Sequence, residues 1–199
     1  MSKPTLARII APLALLALSA CGQGPAPAGP PPLEGAAIGG PFELVNAAGQ
    51  PVRWSDFDGK WRMVYFGYTW CPDVCPFDLN RMMLGYRQWA GEHPDLADDV
   101  QPIFITVDPE RDTPEKVGEY TARFGPNLLG LTGTPEAIRQ AATAFSVFYE
   151  RGPDDPNVGY MMQHTNAAYL MDREGKPIAL LPVDESADGV TAQLTQWVR

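Results

Sequence analysis

The sequence predicts an α/β sandwich carrying an extra β-hairpin at its N-terminal end. Three observations predict it. Apolar runs of buried-strand length recur, at Met63–Phe66 and Val100–Val107. Segments with three- and four-residue apolar spacing alternate with those runs. Two cysteines, Cys71 and Cys75, stand where one such strand ends and a helix begins. The 199 residues suffice for one ordinary domain with a substantial core.

In chain order, Phe42–Val45 and Val52–Trp54, separated by Asn46–Gln50, read as the added hairpin. Trp61–Tyr68 is the central strand. The helix after it carries Leu79, Met82, Met83, Tyr86 and Ala90 on one face and stops near Glu92-His93-Pro94. Val100–Val107 is a second buried strand. Thr113 caps a second helix with Pro114 at its first position, and Gly125-Pro126 ends it. Leu128–Leu131 makes a short strand. The same start signal returns at Thr134-Pro135-Glu136, opening a helix with Ile138, Ala141, Ala142, Phe145 and Phe148 on its face. Residues 150–160 read as a polar loop. Asn166–Met171 and Ile178–Leu181 form a hairpin turning at Asp172–Gly175, and Val190, Leu194 and Val198 mark a last helix. This order, with its reactive pair at a strand-to-helix junction, is thioredoxin-like.

The domain is expected to span 41–199. Residues 1–20 read as an export signal, with Lys3 and Arg8 ahead of the apolar Ile9–Leu18. Leu18-Ser19-Ala20-Cys21 resembles a bacterial lipobox, which implies cleavage before Cys21 and a lipid on that cysteine. Residues 21–40, rich in Gly, Pro and Ala, then read as the lipidated cysteine and a tether. The expected location is the periplasmic side of a bacterial membrane, held by the anchor. The formal net charge is −9, and removing residues 1–20 removes two cations and no acid. Such an acidic surface excludes nucleic acid as a partner.

The cysteine pair supports two chemistries. A first helical turn brings positions four apart onto one face, and a helix N-terminus favours thiolate. Thiolate is both the nucleophile of disulfide exchange and a soft metal ligand. A disulfide between the two would close a tiny loop and add little stability. Three residues intervene, Pro72, Asp73 and Val74, where a thioredoxin-type redox pair has two. Of the two histidines, His93 precedes a proline in a polar turn and reads as surface. His164 begins the penultimate strand, in a loop that faces the cysteine site in a thioredoxin-like fold. No proline lies between Asn157 and Gly175, so an imidazole stands where disulfide oxidoreductases of that fold place a cis-proline. Two thiolates and one imidazole suit Cu(I), and the same set can hold Cu(II).

Three stretches carry a family resemblance: GYTWCPDVCP at 67–76, VDPERDTP at 107–114 and QHTNAAYLMDREG at 163–175. In these the chain resembles the Sco/SenC family of copper-binding assembly factors for cytochrome c oxidase. The resemblance implies that Cys71, Cys75 and His164 bind copper. It also implies a role in supplying copper to the binuclear centre of oxidase subunit II, or in reducing that partner's cysteines. Gln163 departs from the acidic residue that members often carry before the histidine, which removes one charge from the site. Asp108 reads as a residue behind the His164 imidazole or in partner docking, against a purely structural role. Arg111 reads as paired with a neighbouring acid, and Asp112 or Thr113 as a helix cap. Tyr68 and Trp70 flank the site, and of the adjacent Met161 and Met162 one is expected to pack into the core and neither is taken as a ligand. A thiol–disulfide reductase using the pair without stable metal is the alternative. A peroxidase on the same fold is a further one, and it would leave one of the two cysteines dispensable.

Overall fold

The computed structural model describes residues 29–157 and 159–199. The expected signal segment and Cys21 lie outside them. β1 (Glu43–Val45) and β2 (Pro51–Arg53) pair antiparallel with Leu44 opposite Val52, as the expected hairpin. Asn46 closes its turn by accepting from the Ala48 and Gln50 amides. Then come β3 (Trp61–Gly67), α1 (Val74–Glu92), β4 (Val100–Thr106) and α2 (Pro114–Ala122). β5 (Leu129–Leu131), α3 (Pro135–Ala144), β6 (Tyr149–Arg151) and β7 (Met162–His164) follow. β8 (Ala168–Met171), β9 (Pro177–Leu181) and α4 (Ala187–Trp197) complete the chain.

The main sheet has the order β5-β4-β3-β8-β9. β3, β4 and β5 run parallel, while β8 and β9 run antiparallel. β3 is buried along its whole length, which explains its continuous apolar run. Its alternate residues serve two layers. Tyr65 reaches Asp78 of α1, and Phe104, its neighbour in register, meets Tyr120 of α2. Phe66 points the other way and meets Phe145 at the end of α3, where Trp54 of the hairpin side also packs. α4 lies beside α1, and a Cβ on Gly85 would stand 2.5 Å from the Ala187 carbonyl. Thr113, Thr134 and Ser186 cap α2, α3 and α4 by accepting from backbone amides three residues on. The fold is thus α/β and thioredoxin-like, with the added hairpin.

Four expectations change. Both cysteines were expected on one helical turn, but Cys71 lies in the loop before α1 and only Cys75 is helical. The third helix ends at Ala144; Ser146 then takes a left-handed φ of 55° and leaves Phe148 exposed rather than on a buried face. The stretch expected as a polar loop holds β6, which pairs with β7 as a separate two-stranded sheet. His164 therefore ends β7 instead of beginning the strand that joins the main sheet. Residues 33–40 also touch the domain: the Leu33 amide donates to Ile178, the Gly39 amide donates to Ala144, and Ile38 packs against the core.

Candidate metal centre

The site forms where the end of β3 faces the β6–β7 hairpin. Gly67 ends β3, and a Cβ there would lie 3.1 Å from Cys75 Sγ, so glycine is what lets the sulfur sit against the strand. The loop from Tyr68 to Asp73 then carries Cys71. Asp112 braces it: the Thr69 amide and hydroxyl donate to its carboxylate at 2.9 and 2.6 Å, and the Thr106 hydroxyl donates at 2.6 Å. Asp112 is fully buried, and burial pushes its carboxyl above the usual range despite these donors. The helix is capped by Thr113, so Asp112 has a different task from the capping one expected for it. Its position after a strand end was visible in the sequence, but three-way acceptance is a tertiary fact.

The two cysteines differ sharply. Both are free thiols; Cys75 is completely buried, while Cys71 is partly exposed. The Cys75 amide donates to Cys71 Sγ at 3.4 Å. The Cys75 thiol, followed by the Cys75 and Asp73 amides and the Tyr68 hydroxyl, overcomes burial and brings the Cys71 thiol down to about 5. Cys75 moves the opposite way, raised first by giving its hydrogen to Cys71 and then by burial. The helix N-terminus was expected to favour thiolate at both positions, but only Cys71 gains. Beneath Cys75, the Tyr65 hydroxyl donates to the buried Asp78 at 3.1 Å, a pairing not anticipated from the sequence.

His164 arrives from the other side, on β7. Its Nδ1 lies 3.0 Å from the Thr165 carbonyl, which can only accept, so Nδ1 carries the ring proton. Nε2 is left with a lone pair and stands 3.6 Å from Cys75 Sγ. Burial holds the imidazole below its ordinary range, favouring that neutral form. The Tyr68 ring meets it edge-on at 5.9 Å, and the Tyr68 hydroxyl points to Met161 sulfur at 3.9 Å. Tyr68 is buried, whereas Trp70 is 53% exposed beside Cys71. A cleft of about 320 Å³ runs between the Cys71 loop and the hairpin, touching Cys71 and His164.

Asp108 does not reach the imidazole, whose Nδ1 is taken by Thr165. It binds Arg111 and the Tyr160 hydroxyl instead. Arg111 pairs with a neighbouring acid as expected. His93 sits at the end of α1 beside Trp89, away from the site. Tyr160 escaped notice because it lies in the segment read as loop. Aromatic and β-forming residues on either side of Gly152-Pro153 and Asp154-Asp155 were the available hairpin signal.

Among the described residues, no three His, Cys, Asp or Glu side chains are gathered into a ready metal cage. Cys75 lies between the other two, its amide donating to Cys71 Sγ and its sulfur 3.6 Å from His164 Nε2. The spacing of one pair nevertheless fits a shared ion. With sulfur about 2.3 Å and nitrogen about 2.0 Å from a d10 ion such as zinc, two ligands stand roughly 3.5 to 3.7 Å apart. Cys75 Sγ and His164 Nε2 have that separation, and Cys71 Sγ accepts from the Cys75 amide beside them.

The SCO1/SenC family model matches residues 30–199. The chain is 44% identical over 144 residues to the mitochondrial SCO2 homologue of Mus musculus, covering 72% of this chain and 56% of that one. It is 41% identical over 164 residues to the mitochondrial SCO1 homologue of Homo sapiens, covering 81% and 53%. The chain thus spans about half the length of these relatives. Bradyrhizobium japonicum ScoI, solved with copper bound, superposes with a TM-score of 0.72 at 37% identity, over 81% of this chain and 99% of that one. With a match that runs from the first turn before β1 to the last residue, the chain belongs to the SCO1/SenC family.

Proposed function

We propose that this chain is a membrane-tethered copper metallochaperone that binds copper through Cys71, Cys75 and His164. Its acceptor is the binuclear copper centre of cytochrome c oxidase subunit II, or another copper protein. The observation that carries the reading is the 3.6 Å approach of His164 Nε2, with its lone pair free, to Cys75 Sγ. Copper in the related ScoI structure supports it. The chemistry follows from the donors. Cys71 is already a thiolate near neutral pH, Cys75 releases its proton as it binds, and the neutral imidazole adds a lone pair. Cu(I) is the softer match; the imidazole lets the same set hold Cu(II). Cys71, the more exposed ligand, is where exchange with an acceptor begins. Cys21, outside the described residues, supplies the lipid anchor on the periplasmic side; no helix among the described residues is long and apolar enough to cross a membrane.

The test is a Cu(I) titration of the reduced protein against a competing chelator, beside His164→Ala, Cys71→Ser and Cys75→Ser. One tight equivalent, weakened in all three variants, is expected. Binding untouched by His164→Ala would leave a plain dithiol. A second reading, thiol–disulfide reductase, is favoured by the asymmetry of the pair: an accessible thiolate at Cys71 attacks, and the shielded Cys75 resolves. It predicts dithiol exchange that persists in His164→Ala.

A further inference from the structure

His164 is carried by a hairpin that does not pair with the main sheet, so something else must hold it against Cys75. The segment between β4 and α2 supplies a set of contacts suited to that task. Arg111 Nε donates to Asp108 Oδ2 at 2.6 Å, and the Tyr160 hydroxyl donates to Asp108 Oδ1 at 2.8 Å. Arg111 Nη1 donates to the Tyr160 carbonyl at 2.8 Å, and its guanidinium lies 3.6 Å over the Tyr160 ring. Arg151, from the hairpin itself, lies 4.1 Å over the same ring. Asp108 and Tyr160 are 2% and 8% exposed, so these bonds are shielded from water. The carboxylate spends both oxygens here, and the guanidinium binds it and the tyrosine backbone together.

We propose that Asp108, Arg111 and Tyr160 form a latch that sets the position of His164 relative to Cys75, making all three positioning residues for copper. This rests on the reading of His164 as a copper ligand. The lever is short. Tyr160 lies four residues before His164, roughly 13 Å of extended chain. A rotation of about ten degrees at the latch end of such a lever moves Nε2 by roughly 2 Å, more than a metal–ligand bond tolerates. Among the described residues, a further side-chain link from this end of the hairpin to the cysteine loop, Tyr68 to Met161 sulfur, is long and weak at 3.9 Å. Arg111 also stands 5.5 Å from the exposed Trp70 ring, so the latch adjoins the surface that an acceptor would meet.

Tyr160→Phe is the decisive variant, because it keeps the ring stack and removes only the hydroxyl donor; Asp108→Asn is its partner. Both are expected to weaken Cu(I) binding by about 10- to 100-fold in chelator competition. The alkylation rate of Cys71 should stay at the wild-type value, since the cysteine loop is braced by Asp112. Added to His164→Ala, Tyr160→Phe should cause no further loss, because it acts through that ring. The imidazole 15N signals of the protein without copper give an independent readout. Wild type should show one fixed Nδ1–H tautomer, and the latch variants an averaged one. If His164→Ala itself leaves copper affinity intact, the ligand reading fails, and the imidazole signals alone judge the latch. Imidazole signals and copper affinity identical to wild type in both latch variants would overturn it.

Discussion

The two halves of the candidate site are built in unlike ways. Cys75 rises from the first turn of α1 against a strand buried on both faces, and the loop carrying Cys71 hangs on a fully buried carboxylate. His164 sits on a three-residue strand paired only to another three-residue strand. The first half is part of the core; the second is an attachment with its own fastening. Under the proposed function, a site that holds an ion and then surrenders it would gain from this division. The braced loop presents Cys71 to an incoming acceptor, while His164 sits on a short hairpin, the kind of local element that opens at low free-energy cost.

The largest effect should come from the cysteine half. Asp112→Ala removes the acceptor of three hydrogen bonds and strands the Thr69 amide and two hydroxyls in the interior. A loss of about 3 kcal/mol in urea denaturation is expected. Tyr160→Phe, the matching cut in the hairpin half, should cost about 1 kcal/mol. Equal losses would dissolve the distinction between the halves. Next is Gly67→Ala, whose Cβ would crowd Cys75 Sγ, Tyr65 and Phe104 at 3.0 to 3.1 Å. Overpacking of this kind costs about 1 to 3 kcal/mol, read by thermal unfolding. It should also weaken copper binding by pushing the sulfur off its place, which retained wild-type affinity would contradict.

Much of the core half was legible in the sequence. Continuous apolar runs announced β3 and β4, and the two Thr-Pro-Glu starts placed α2 and α3 to the residue, because capping chemistry is local. The three candidate ligands were legible by residue type and by their stretches. The hairpin was not. Strands of three residues separated by a ten-residue connection give too little alternation to outweigh their Gly, Pro and Asp. The unequal cysteines were also hidden: whether a thiol near a helix start falls or rises depends on burial and on which sulfur donates, and spacing encodes neither. Asp108 illustrates the limit. It was expected behind the His164 imidazole or in docking, but its carboxylate accepts from Arg111 and from Tyr160, the latter fifty-two residues away in sequence.

A smaller effect should separate the halves by pH. Cys71 alkylation by iodoacetamide should follow a midpoint near pH 5, while Cys75 stays unreactive in the folded protein. His164 responds in the opposite sense to a group that gains a partner for its charge. Burial lowers its proton affinity in the fold, so the unfolded chain takes up a proton first as pH falls. Its penalty on folding is absent above the unfolded value near 6.5 and grows as pH drops through it. In a pH series of urea midpoints, His164→Ala should therefore flatten the decline below pH 6.5 and change little above it. A slope untouched by the substitution would mean the ring is free to charge without leaving its place.

The smallest effect on stability belongs to Trp70, which lies where the halves meet. Its indole is half exposed, with the Arg111 guanidinium 5.5 Å and the Lys116 ammonium 5.9 Å from the ring. A residue with so much surface in water contributes little to folding, so Trp70→Ala should shift stability by no more than about 0.5 kcal/mol. It touches neither Cys75 nor His164 among its aromatic and cation contacts, so copper affinity should hold as well. What remains is its place beside Cys71, the more exposed of the two thiols. There a large aromatic is suited to meeting an acceptor, and aromatic anchors dominate such contacts. Copper transfer from the variant to an oxidase copper-site fragment should slow while binding equilibria stay put. Unchanged transfer would assign Trp70 to shielding the thiolate, and oxygen-driven loss of Cys71 thiol should then rise in its place.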